Sequence, residues 1–204
     1  MDTLEALVQA VETCTDCTLC EQRTRSVPGE GPERPDIMLI GEGPGYHEDQ
    51  QGRPFVGPAG KLLEDLLAGI GLTRRDVYIA NVVKCRPPNN RDPLPDEIQA
   101  CRKYLDQQIR LLDPPVIVTL GRFSMARFMP GATISRVHGK PVQWGKRTIF
   151  PMYHPAAALH QGSLRRYLEE DIRKLPALVE EARRAAVTAV EEEPPPEPEQ
   201  LKML

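Results

Sequence analysis

The chain has 204 residues, on the order of one to one and a half typical domains. A hydrophobic fraction of 40% and a charged fraction of 27% allow a buried core and exclude wholesale disorder. The net charge of −3 hides an asymmetry. From Val187 onward Glu191, Glu192, Glu193, Glu197 and Glu199 stand against Lys202, a net of −4, so residues 1–186 carry +1. Such a body permits nucleic-acid binding without arguing for it. No apolar run approaches the roughly 20 residues that span a bilayer. The acidic start Met1-Asp2-Thr3-Leu4-Glu5 has no basic stretch leading into an apolar one. The expectation is a cytoplasmic protein without a membrane segment.

In chain order, residues 4–11 suggest a short first helix. Residues 36–41 form an apolar run ending in Gly41, with the spacing of a buried strand. Leu62, Leu63, Leu66, Leu67 and Ile70 make a helical stripe closed by Gly71. Residues 77–83 read as a second strand. Ile98, Cys101, Leu105, Ile109 and Leu112 make a second helix, entered at Pro95-Asp96-Glu97 and stopped by Pro114. Residues 115–121 and 147–153 read as strands three and four. Leu164, Leu168, Ile172, Leu175 and Val179 make a third stripe, which Pro176 kinks or divides. Alternating strands and helices predict an α/β fold, a parallel sheet between helical layers. The domain is expected over residues 1–186. Residues 187–204, rich in Glu and Pro, are expected to be a disordered acidic tail.

In open parallel sheets, ligands bind beyond the carboxyl ends of the strands. The chemistry is therefore sought in 41–55, 81–91, 121–124 and 154–160. Gly41-Glu42-Gly43-Pro44-Gly45 lets backbone approach a ligand closely. It lacks the third glycine of a dinucleotide fingerprint, position 46 being Tyr, and the nearest expected helix begins about 15 residues later. Phe55, between Pro54 and Val56, is either a loop anchor or a flat stacking face. Asn81 is either a turn residue or a donor–acceptor pair for a planar ligand. Lys84, Arg86 and Arg91 read as a small positive patch or a solvated face. His154, after the fourth strand, could polarise a substrate oxygen. Leu159, His160, Arg165 and Arg166 follow it, an apolar tip flanked by arginines that would suit a duplex wedge.

Five cysteines in a chain read as cytoplasmic point to thiols or metal ligands. Cys14-x2-Cys17-x2-Cys20 lacks the fourth cysteine of a ferredoxin run, since position 24 is Thr. A four-thiolate site must be closed by Cys85 and Cys101, leaving three N-terminal thiols for two places. Spacing does not decide between a [4Fe-4S] cluster and tetrahedral zinc.

Taken together, these motifs resemble one family: the family 4, iron–sulfur uracil-DNA glycosylases. The residues that carry the resemblance are the N-terminal cysteines, GEGPGYHED at 41–49, GRPFVGPAGKLL at 52–63, NVVKCRPPNNRDPLPDE at 81–97, Cys101 and MYHPAAAL at 152–159. They span roughly residues 4–175 in consistent order. The resemblance implies a three-layer α/β/α fold around a four-stranded parallel sheet. It implies a [4Fe-4S] cluster on Cys14, Cys17, Cys85 and Cys101, with Cys20 outside the set.

The resemblance also implies roles. Phe55 would stack on a flipped uracil, and Asn81 would read its O4 and N3. The backbone near Glu42 and Gly43 would hold the pyrimidine, Glu48 would crowd C5, and His154 would donate to O2. Gly43 stands where the better-known uracil glycosylases carry an Asp that orients water, so Glu42 and Asn90 are the candidates for that task. Arg86, Leu159 and Arg165 are candidate DNA contacts. Relatives that trap DNA covalently carry a basic insertion ending in His after strand two. Cys85 here runs straight into RPPNNRDP, which predicts ordinary turnover. Uracil-containing DNA is the expected partner of a monomer, with the acidic tail a possible contact for another repair protein. The competing classes are a non-catalytic DNA-binding module and an electron-transfer protein. Neither requires Phe55, Asn81 and His154 to meet in one pocket.

Overall fold

The computed structural model describes residues 1–191, with side chains to residue 185. The sheet has strands β1 (Ile37–Gly41), β2 (Tyr78–Asn81), β3 (Val116–Leu120), β4 (Val142–Trp144) and β5 (Arg147–Met152). Their order is β2-β1-β3-β5-β4. The four expected strands are parallel to their neighbours. The fifth, β4, is a correction to the expected count: a short antiparallel edge paired with β5 through the turn at Gly145, φ +57°. Its Val-Gln-Trp sequence is partly exposed and offers no apolar run to recognise.

Alternate residues of each strand enter opposite layers. Ile37, Leu39, Val116, Val118 and Phe150 pack with α4 (Pro58–Ala68), α9 (Ser163–Ile172) and α10 (Leu175–Glu191). Met38, Ile40, Ile117 and Ile149 pack with α1 (Leu4–Glu12), α2 (Leu19–Gln22) and α5 (Pro95–Leu112). The result is the expected three-layer α/β/α sandwich. Both faces of the sheet are covered, which is why its central strands are mostly apolar.

Pro176 sits in the first turn of α10 and divides the third stripe into two helices. The boundary expected after 186 falls inside α10, and residues 192–204, the rest of the expected tail, lie outside the described residues. A short helix, α3 (Tyr46–Gln51), opens directly after Gly45. Apolar spacing predicts the first helix after the glycine loop only about 15 residues further on. Six mostly polar residues carry no apolar period, so α3 is invisible to that spacing. Three more short helices, α6 (Arg122–Ala126), α7 (Ile134–Val137) and α8 (Pro155–His160), lie between β3 and α9.

Candidate active site

The strand ends fix the site. Gly41 at the end of β1 is in register with Asn81 at the end of β2, and β3 flanks β1 on its other side. The chain reverses direction across the sheet here, the point where such sheets bind ligands. A cleft of about 470 Å³ opens there. Glu42, Gly43, Glu48, Phe55, Asn81, Asn90 and His154 all line it, so every expected base-binding or catalytic residue meets in one place. Arg86, Leu159 and Arg165 are outside its lining. Arg86 lies over the Tyr46 ring, 5.2 Å from its centre. Leu159 is exposed on α8, and Arg165 pairs with Glu169 one turn along α9. Arg91 and His160, which had no assigned role in the cleft, also line it.

Asn81 is buried, and its Oδ1 has no hydrogen-bond partner among the described residues. A buried amide oxygen without a partner costs stability unless a ligand supplies one. Gly41 makes room for it. A Cβ at position 41 would sit against Asn81 Oδ1 and 2.8 Å from the Phe55 ring. Phe55 lies beside the His154 ring, centres 5.5 Å apart and planes 27° apart.

His154 caps α8: its Nδ1 accepts the Ala156 amide at 3.1 Å. The remaining proton of the neutral ring is therefore on Nε2. Burial pushes the imidazole pKa down to about 4, against a smaller opposing pull from Glu48. Neutral imidazole is the resting form. Glu42 is held above the usual carboxylate range, chiefly by burial and then by Asp92, with Arg122 opposing. Asn90 has a left-handed backbone, and its Oδ1 accepts a hydrogen bond from Arg86 Nε at 2.7 Å.

Glu48, expected to crowd C5 of the base, is held by three backbone amides. Its Oε1 accepts the Val56 and Gly57 amides at 2.8 and 2.9 Å, and its Oε2 accepts Gly45 at 3.1 Å. It lines the cleft, but its charge is committed to tying the glycine loop to the Phe55 loop. The basic patch also changes. Lys84 is buried, not a solvated face, and its Nζ donates to the Asn81 carbonyl at 2.8 Å and to Gln108 at 2.6 Å. Arg91 is bound by both oxygens of Glu97.

A second, smaller cavity is lined by all five cysteines, with Arg23, Lys84 and Tyr104. Arg23 donates to Cys85 Sγ at 3.2 Å, and the Lys84 amide donates to Cys101 Sγ at 3.2 Å. Burial raises the thiol pKa values of Cys17, Cys85 and Cys101, the last to about 11. Among the described residues no three acidic, His or Cys side chains converge on a point suited to a single metal ion. The thiols instead surround a space.

Residues 28–176 match the family model for the uracil DNA glycosylase superfamily. The chain is 50% identical to the type-4 uracil-DNA glycosylase of Sulfurisphaera tokodaii, over 86% of this chain and 84% of that one. It is 48% identical to that of Archaeoglobus fulgidus, over 86% and 92%, and 46% identical to that of Thermotoga maritima, over 86% and 94%. The chain belongs to the type-4 family of the uracil DNA glycosylase superfamily. For this glycosylase-family member, the convergence of Phe55, Asn81 and His154 gives the family match a physical site. No helix among its described residues is long and apolar enough to cross a membrane.

Proposed function

We propose that this chain excises uracil from DNA and leaves an abasic site, the first step of base excision repair. The observation that carries the reading is the unpartnered, buried Asn81 amide oxygen beside Phe55 and a neutral His154 in one cleft. A base inside a duplex is out of reach, so uracil must first be flipped out. Phe55 stacks on the flipped ring. Asn81 accepts N3–H at Oδ1 and donates from Nδ2 to O4; cytosine presents an acceptor and a donor in the reverse order.

The N1–C1′ bond then breaks, and its electron pair leaves on uracil. The negative charge develops at O2, to which neutral His154 donates from Nε2. A donor placed for charge that exists only in the transition state is worth about 10²–10³ in rate. Water adds to C1′ and loses a proton. Glu42, its carboxyl raised by burial, is suited to take that proton. Asn90, with its oxygen already given to Arg86, is the weaker candidate. Arg86, Leu159 and Arg165 are proposed as DNA contacts around the cleft.

Cys14, Cys17, Cys85 and Cys101 would hold a [4Fe-4S] cluster. The donor set supports this: thiols lining one cavity, with N–H groups directed at two of the sulfurs, as iron–sulfur sites use to tune them. When bound, the cluster supplies a cross-link between the N-terminal segment, the loop after β2 and α5, and no reaction step. The proposal takes the chain as a cytoplasmic monomer whose Glu/Pro-rich tail meets a repair partner.

The deciding experiment measures base release from a uracil-containing oligonucleotide, followed by alkaline cleavage at the abasic site. Release from uracil and not thymine, lost in His154→Ala, is expected. Binding of the oligonucleotide without release would replace the enzyme with a DNA-binding module.

A further inference from the structure

Phe55 is the only aromatic residue among the described ones with a left-handed backbone, φ +51°. Bulky residues avoid this region, which persists only where the surroundings over-determine it. Two charged side chains hold its backbone. Glu48 takes the two amides that follow Phe55. Arg74, from the turn before β2 and outside the cleft lining, takes the carbonyls of Pro54 and of Phe55 itself. Its Nη2 donates to Pro54 at 2.7 Å and its Nη1 to Phe55 at 3.1 Å.

Arg74 is itself fixed. Its Nε donates to Glu30 at 2.8 Å and its Nη1 to Glu64 at 2.7 Å. Glu30 in turn is bridged by its backbone to Ile79 of β2 and also receives Arg53. A line of direct contacts therefore runs from the sheet edge through Glu30 and Arg74 to the stacking residue. Only a guanidinium offers enough donors in a fixed plane to meet four such acceptors; an ammonium does not.

We propose that Arg74 is a positioning residue for base recognition, holding the left-handed Phe55 backbone so that its ring covers the flipped pyrimidine. The assignment rests on the uracil reading above. It also explains why an arginine outside the cleft lining is largely buried among carbonyls and carboxylates, its side chain 17% exposed.

The test is a double-substitution cycle on the full chain, with Arg74→Gln, Arg74→Lys, Phe55→Ala and the paired variants. Single-turnover uracil release and inhibition by free uracil are the readouts. Arg74→Gln is expected to slow release by about 10- to 100-fold and to weaken inhibition by uracil, as a displaced contact does. In the Phe55→Ala background the same change should cost no more than about twofold, because coupled residues do not add. A general loss of stability would multiply with the Phe55 loss instead, and that result overturns the proposal. Arg74→Lys keeps the charge and should share the defect; full activity in Arg74→Lys would also overturn it. Amide exchange at Val56 and Gly57 supplies a readout independent of catalysis. It should accelerate in Arg74→Gln, and unchanged exchange sinks the Arg74 assignment alone. A wild-type chain that releases no uracil while exchange responds as expected refutes the glycosylase reading rather than the hold of Arg74 on the Phe55 backbone.

Discussion

His154 accepts the Ala156 amide at Nδ1, and this one hydrogen bond decides which ring nitrogen keeps the proton. With burial holding the pKa near 4, the ring meets substrate as a neutral donor. Uracil release should therefore show no titration of His154 between about pH 6 and 8. Folding follows the same shift. The folded value lies below the unfolded one of about 6.5, so the unfolded chain binds the extra proton between about pH 6.5 and 4. Stability from this group is full above that window and is lost as pH falls through it. The loss is on the order of 2 kcal/mol once solvent in the cleft is allowed for. Thermal melts of wild type and His154→Gln across this range check it: the difference between them should shrink toward low pH.

Asn81 and Gly41 act as a pair. Asn81→Ala removes the amide that reads the pyrimidine and should reduce uracil release by at least about 10²-fold. DNA affinity should barely change, because phosphate contacts dominate it. Gly41→Ala should imitate this defect without removing a polar group. The new methyl would press on the Asn81 oxygen and the Phe55 ring, both of which must move. Filter binding alongside release assays separates the outcomes. Equal loss of binding and release in Asn81→Ala would show a role in docking DNA rather than in reading the base.

The cluster assignment predicts a pattern among five thiols. Cys14→Ser, Cys17→Ser, Cys85→Ser and Cys101→Ser should each lower bound iron and visible absorbance, whereas Cys20→Ser should retain both. Chelation should destabilise the wild-type chain, since metal binding and folding of the N-terminal segment are linked. Iron assays and melts check this. Loss of iron in Cys20→Ser would redraw the ligand set, since Cys20 lines the same cavity.

The parallel strands were legible because burial on both faces turns each into an apolar run, as in Ile37-Met38-Leu39-Ile40. The cleft was legible because its residues follow strand ends. β4 and α3 were not, since three partly exposed residues and six mostly polar ones carry no period. Residues that work through others were equally silent. Arg74 stands in Thr73-Arg74-Arg75-Asp76, which reads as a solvated turn. Lys84 looked like part of a surface patch, and only the tertiary placement of Gln108 explains its burial. Glu48 was half legible: its place in the cleft was, its hydrogen bonds to three amides were not.

Glu97 offers a last test, joining the cleft wall to the helix that carries Cys101. Its buried carboxylate receives Arg91 at 2.6 and 2.8 Å and the Leu94 amide at 2.7 Å, closing the start of α5. The hydrogen bond from Arg91 holds its pKa below the usual carboxylate range; burial opposes this and Leu94 assists. The stability this supplies is present above the unfolded pKa of about 4.3 and is lost as pH falls through the lower folded value. Glu97→Gln should cost about 1–3 kcal/mol at neutral pH, discounted because Arg91 is partly exposed. The cost should vanish in acid, where the wild-type carboxyl is itself protonated. Denaturant melts at neutral and acid pH check the sign. A deficit unchanged in acid would show that Glu97 acts through packing rather than through its charge.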